Sequence, residues 1–262
     1  MSKVGSIDLV GGTGRKIIIG VDFDGVRSGA KLEDLAKVFH DEATFYNCGI
    51  VNYLKDNAEI SLDGLISQWL FELGGRASEV VVIIGFCSGG HIAARLADEL
   101  QAAVGSAMPL IAYDTTRIGA EVLVSEFEGN IEKLRNYLDP VEIISGAEQG
   151  IADSRAVAES LLTRYSELLR RAAPKMGIGD RIATQIVDSF SSYLSYLLVA
   201  IDAQNGGGHT SRTDVFSSEY SRYRDREGII SASSHNDLLV SGESVGLIGA
   251  LIEKSTARSE SP

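Results

Sequence analysis

Glu79–Leu96 reads EVVVIIGFCSGGHIAARL, and the rest of the chain is arranged around it. Val80 to Ile84 form an unbroken β-branched run, the pattern of a central parallel strand covered on both faces. Gly85-Phe86-Cys87-Ser88-Gly89-Gly90 follows, and Ile92–Ala103 then has helical spacing. The small residues around Cys87 permit a tight strand-to-helix turn. Such a turn lifts the middle side chain to the top of the sheet and points a helix N-terminus at it. A structural turn with a buried cysteine reads the same way from this stretch alone, so the remaining residues decide.

The chain has 262 residues, long enough for one large α/β domain that buries roughly three quarters of its extended surface. Its net charge of −12 argues against nucleic acid and anionic membrane as main partners. Two cysteines, Cys48 and Cys87, make no disulfide framework and favour a reducing compartment. The early apolar run Ile17–Ile19 is too short for a signal peptide, and no stretch approaches 18 apolar residues. A cytoplasmic protein that does not span a membrane is expected.

Along the chain, residues 1–15 read as a loose lead-in, including a Gly11-Gly12-Thr13-Gly14 stretch that precedes a strand where a phosphate loop would follow one. Lys16–Phe23 predicts a second buried strand, Leu32–His40 a helix, Ala43–Cys48 a short strand and Ser61–Leu73 a capped helix. Pro109–Tyr113 is another strand, ending at Asp114. This alternation is what a parallel sheet requires. From 119 to 203 the pattern is mostly helical, with Pro140 and Pro174 as punctuation. Strand signals return at Thr213–Ser217 and Gly228–Ala232. A closing helix is expected at Val245–Lys254, with 255–262 a frayed tail. The expected division is a core over 1–118, a helical lid insertion over 119–203, and the rest of the core over 204–262.

The G-x-C-x-G stretch resembles the nucleophile elbow of α/β-hydrolases, with Cys87 where serine usually stands. In that fold the order along the chain is nucleophile, acid, histidine, each at the C-terminal edge of the sheet. Asp114 and His235 supply the order here. A cysteine needs a base to form thiolate, and the base needs an orienting acid. Each has a plainer reading: Asp114 could cap a turn, and His40, His91 and His209 compete with His235. His40 precedes the elbow, His91 lies within its helix, and His209 sits in a glycine-rich loop as the serious rival. The oxyanion donors are expected at the Ser88 backbone, directly after the nucleophile, and around Phe23 and Asp24. No metal site is expected.

Over nearly the whole chain the motifs resemble thioesterases of polyketide and nonribosomal-peptide synthesis. Gly85-Phe86-Cys87-Ser88-Gly89-Gly90 is similar to their elbow, and Ser234-His235-Asn236-Asp237-Leu238-Leu239 to their histidine motif. Two departures are the cysteine and the Asp22-Phe23-Asp24-Gly25 loop. The resemblance implies an α/β-hydrolase fold, with a mostly parallel central sheet, helices on both faces and a lid. It also implies an acyl group delivered on the phosphopantetheine of an acyl or peptidyl carrier protein, or as acyl-CoA, with no bound cofactor. Cysteine would keep the acyl-enzyme activated toward amines, alcohols or carbon nucleophiles. A small-molecule hydrolase of the dienelactone type and a non-catalytic binding protein are the alternatives. Arg212, Arg222, Arg224 and Arg226 offer a local positive face for an acidic carrier.

Overall fold

The computed structural model describes residues 7–22, 29, 31–50, 61–138, 153–206, 211–224 and 226–259. Among the described residues seven strands make one sheet: β1 (Ile7–Gly11), β2 (Lys16–Asp22), β3 (Ala43–Gly49), β4 (Val80–Phe86), β5 (Leu110–Tyr113), β6 (Arg212–Phe216) and β7 (Ile229–Ile230). Their order is β1-β3-β2-β4-β5-β6-β7, with only β1 antiparallel to its neighbour. β4 therefore lies in the middle, as its β-branched run demands. Ile17, Ile18, Ile19, Val82, Ile83, Leu110 and Ile111 are all at most 1% exposed, so both faces of these strands are covered.

Among the described residues there are seven α-helices: α1 (Leu32–Val38), α2 (Leu62–Leu73), α3 (Gly89–Val104), α4 (Ala120–Glu132), α5 (Ser154–Met176), α6 (Asp180–Gln204) and α7 (Gly242–Ser259). One face of the sheet presents Ile18, Phe45, Val82, Ile84, Phe86, Ile111, Tyr113 and Val215. They pack with Leu35 and Ala36 of α1, with Phe39 just after it, and with Ile248 and Ile252 of α7. The other face receives α3, whose Ile92, Ala93, Leu96, Ala97 and Leu100 are buried. α2 packs beside α3 and buries Leu65, Ile66, Trp69 and Leu73. Ser61 caps α2 as expected, its hydroxyl accepting from the Gly64 N–H at 3.0 Å.

The chain divides into two compact units, Met1–Arg117 with Asp202–Pro262, and Ile118–Ile201. The second unit is helical. In it Tyr165 of α5 meets Phe190 of α6 with ring centroids 4.4 Å apart.

Four expectations need correction. Residues 7–11 are not lead-in but the antiparallel edge strand β1. Its half-exposed pattern, with Leu9 64% exposed, carries no core signal for the sequence to display. The closing helix runs to Ser259, beyond the expected frayed start at 255. Pro174 lies inside the last turn of α5 and does not stop it; the helix ends at Gly177, whose φ of 70° gives a left-handed cap. α6 is long and apolar enough, by length and composition alone, to cross a membrane. It carries Asp180, Arg181, Asp188 and Asp202, and buries Phe190, Leu194, Leu197 and Ala200.

Candidate active site

β4 and α3 meet at a turn made possible by close backbone approach. A Cβ on Gly85 would collide with Gly90, and a Cβ on Gly90 would collide with the buried Thr115 side chain. With both absent, the start of α3 lies against β4 and against the loop after β5. The turn puts Cys87 at φ 48°, a left-handed conformation rare for a residue with a Cβ. Its backbone N–H donates to the Tyr113 carbonyl at 2.8 Å, so the elbow is fastened to the neighbouring strand end.

Asp114 follows immediately and is also left-handed, at φ 46°. Its side chain is fully buried. Oδ1 accepts from the Ser217 N–H at 2.7 Å, and Oδ2 stands 2.6 Å from His235 Nδ1. His235 Nε2 in turn lies 3.8 Å from Cys87 Sγ, a long sulfur contact. The structure thus brings Cys87, His235 and Asp114 into one chain of contacts at the C-terminal edge of β4, β5 and β6, all within the first unit. The order of the contacts is thiol, imidazole, carboxylate. Such an array can take a proton from sulfur onto Nε2 while Asp114 holds the Nδ1 side.

The loop that carries His235 is pinned on several sides. The Ser231 N–H donates to the Phe216 carbonyl at 2.8 Å, and the Ser231 hydroxyl donates to Glu243 at 3.2 Å. The Ser234 hydroxyl donates to Asp237 at 2.8 Å. His235 itself donates its backbone N–H to Glu219 at 3.0 Å. Two rings bound the imidazole, Phe86 and Tyr220, each with its centroid 4.8 Å away. Glu219, Tyr220 and Ser217 carry no motif that sequence reasoning could have caught. Their relevance comes from where the turn after β6 lands.

Ser88 is the N-cap of α3, with φ −58° and ψ −29°. The N–H groups of Gly90 and His91 turn back to the Cys87 and Ser88 carbonyls. No hydrogen bond from the Ser88 N–H is found among the described residues. Phe23 and Asp24 lie outside the described residues, as does His209. His40 stands at the exposed end of α1 and contacts Asp41. His91 is buried, with Nε2 at 2.8 Å from the Thr116 carbonyl, so it ties α3 to the acid's loop. Cys48 is a buried thiol in β3. The expected arginine face must lose one member: Arg212 pairs with Asp214 at 2.5 Å, the two side chains being only 8% and 7% exposed. An i,i+2 pair on one strand face buries both.

No protein-family model and no curated protein sequence matches the chain. Solved structures do resemble it. Holo-AB3403, a four-domain nonribosomal peptide synthetase bound to AMP and glycine, aligns over 95% of this chain and 20% of its own, with TM-score 0.51 and 12% identity. The NocB thioesterase domain from the nocardicin cluster aligns over 96% of this chain and 98% of its own, with TM-score 0.49 and 12% identity. The Vlm2 thioesterase domain with a bound dodecadepsipeptide aligns over 95% and 97%, with TM-score 0.44 and 16% identity. Likeness at such identities concerns fold alone. Its mostly parallel seven-stranded sheet, covered by helices and turning at β4 into a strained elbow, gives this chain the α/β-hydrolase fold.

Proposed function

We propose that the chain is a thioesterase-like acyl-transfer enzyme working through a Cys87 acyl-enzyme. The observation that carries this reading is the contact chain Cys87 Sγ, His235 Nε2 at 3.8 Å, then Nδ1 to Asp114 Oδ2 at 2.6 Å. A buried carboxylate and a strained cysteine on one imidazole are costly for a protein that only binds.

In the first step, His235 Nε2 takes the proton from Cys87 and the thiolate attacks the carbonyl carbon of an acyl thioester. The Ser88 N–H and a second backbone donor from Phe23 or Asp24 hold the resulting oxyanion. Collapse breaks the carbon–sulfur bond to the pantetheine arm, whose thiolate takes the proton back from His235. The acyl group is then a thioester on Cys87, close in free energy to the one it replaced. In the second step an amine, alcohol or water gives its proton to His235 and attacks the acyl carbon. Cys87 leaves as thiolate and is reprotonated.

The thioester intermediate favours transfer or cyclising release at least as much as hydrolysis, in polyketide or nonribosomal-peptide synthesis. Carrier protein or CoA would deliver the acyl group, in the cytoplasm, with no resident cofactor. The helical segment between β5 and β6 would serve as the acyl-chain lid.

Intact-protein mass after mixing with a panel of acyl thioesters tests the reading. An adduct of acyl mass is expected on the wild type and not on Cys87→Ala. Thioester turnover at an unchanged rate by Cys87→Ala would overturn it.

A further inference from the structure

β6 ends at Phe216, and the next four residues, Ser217-Ser218-Glu219-Tyr220, form a turn that touches both partners of the cysteine. The Ser217 N–H donates to Asp114. The Ser218 N–H donates to the Ser233 carbonyl at 3.2 Å, two residues before His235. The Glu219 carboxylate accepts the His235 backbone N–H. The Tyr220 ring lies over the imidazole at 4.8 Å with an interplanar angle of 23°. The turn is itself closed by the Ser221 N–H donating to the Ser217 carbonyl at 3.0 Å.

We propose that this turn positions the site, and that Tyr220 is the residue that fixes the plane of the His235 ring. The proposal rests on the reading of His235 as the base for Cys87. A histidine held only through Nδ1 can still tilt about that single contact, and tilting carries Nε2 away from sulfur. The sulfur contact is already 3.8 Å, so little tilt is tolerable. A ring stacked nearly parallel on the imidazole removes that freedom; Phe86, inclined by 53°, does so less directly. Among the described residues the groups facing the imidazole are Cys87, Asp114, Phe86 and Tyr220, with Glu219 on its backbone. Tyr220 is a positioning residue, because it acts through His235.

The test compares Tyr220→Phe, which keeps the ring, with Tyr220→Leu, which removes it. Three quantities are read: alkylation of Cys87 by iodoacetamide, kcat and KM for an acyl thioester, and the imidazole 15N–1H signals of His235. Tyr220→Leu is expected to slow alkylation and kcat together by about 10- to 100-fold, since small misplacements of a catalytic group cost that much, while KM holds. Tyr220→Phe should restore both. Leucine performing as well as tyrosine, or phenylalanine performing no better than leucine, overturns the proposal. Should Tyr220→Leu fail to fold, Glu219→Ala against Glu219→Gln asks the same of the backbone contact. Equal alkylation of His235→Ala and wild type would defeat the base reading itself. In that case the His235 Nδ1–H signal still tests the turn: it should be broadened by loss of the ring and kept by Tyr220→Phe.

Discussion

Asp114 Oδ2 stands 2.6 Å from His235 Nδ1, while the other oxygen of the same carboxylate is held by the Ser217 N–H. Both oxygens are engaged on separate donors inside the protein. The side chain can therefore neither rotate nor hydrate without losing a contact, and His235 meets a fixed acceptor.

That double engagement makes Asp114→Asn informative. A carboxamide has one acceptor, so its NH2 must face either Ser217 N–H or His235 Nδ1–H, donor against donor. We expect kcat to fall by about 10³- to 10⁴-fold with the fold retained. Steady-state rates with circular dichroism would check it, and a variant at full rate would move the acid's role to another residue.

The contact between α3 and the loop after β5 predicts a steric phenotype. Gly90→Ala drives a methyl into the fully buried Thr115. A loss of about 1–3 kcal/mol is expected on overpacking, with slower alkylation of Cys87. The double variant Gly90→Ala/Thr115→Ala should recover part of the stability, since alanine removes Oγ1 and Cγ2 but keeps the Cβ that the methyl also meets. Urea unfolding of all four members of the cycle measures the coupling.

Arg212 and Asp214 are buried together, so removing one partner is the damaging change. Asp214→Ala leaves an unpaired guanidinium and should cost about 3–5 kcal/mol, whereas replacing both by apolar side chains should be near neutral. Equal destabilisation by the single and double changes would show that shape, not charge, is what matters there.

Tyr113 is fully buried behind Phe86, and among the described residues no group meets its hydroxyl at hydrogen-bond geometry. Burial pushes its ionisation well above the usual 10.0. Below pH 10 both folded and unfolded chains keep the phenol neutral. Above it only the unfolded chain ionises, so stability is lost as the pH rises. Tyr113→Phe should flatten that alkaline loss and, by removing an unpaired hydroxyl, leave neutral-pH stability equal or higher. Urea midpoints on either side of pH 10 decide this. A wild type and variant that lose stability in parallel would refute it.

The sequence carried the middle of the sheet well, because β4, β2 and β5 are buried on both faces and must be apolar throughout. It carried β1 poorly: Ile7–Gly11 pairs at an edge, and the Gly12 that lets the chain turn back has φ 84° but no apolar pattern around it. That Cys87, Asp114 and His235 come together was legible because the α/β order brings strand ends to one edge of the sheet. Ser217, Glu219 and Tyr220 were not, since serine, glutamate and tyrosine after a strand read as an ordinary exposed turn. Arg212 misled for the opposite reason, its charge implying a surface where Asp214 had already neutralised it.

Cys87 and Asp114 are the described non-glycine residues with positive φ, and both flank Tyr113 at the same sheet edge. Left-handed backbone costs a residue with a Cβ about 1–2 kcal/mol. Glycine at Cys87 would relax the chain and remove the proposed nucleophile, whereas glycine at Asp114 would also strip the Ser217 and His235 donors of their acceptor. A thermostability selection run without an activity screen would therefore be drawn to position 87, and its most heat-resistant survivors would include chains without the proposed activity.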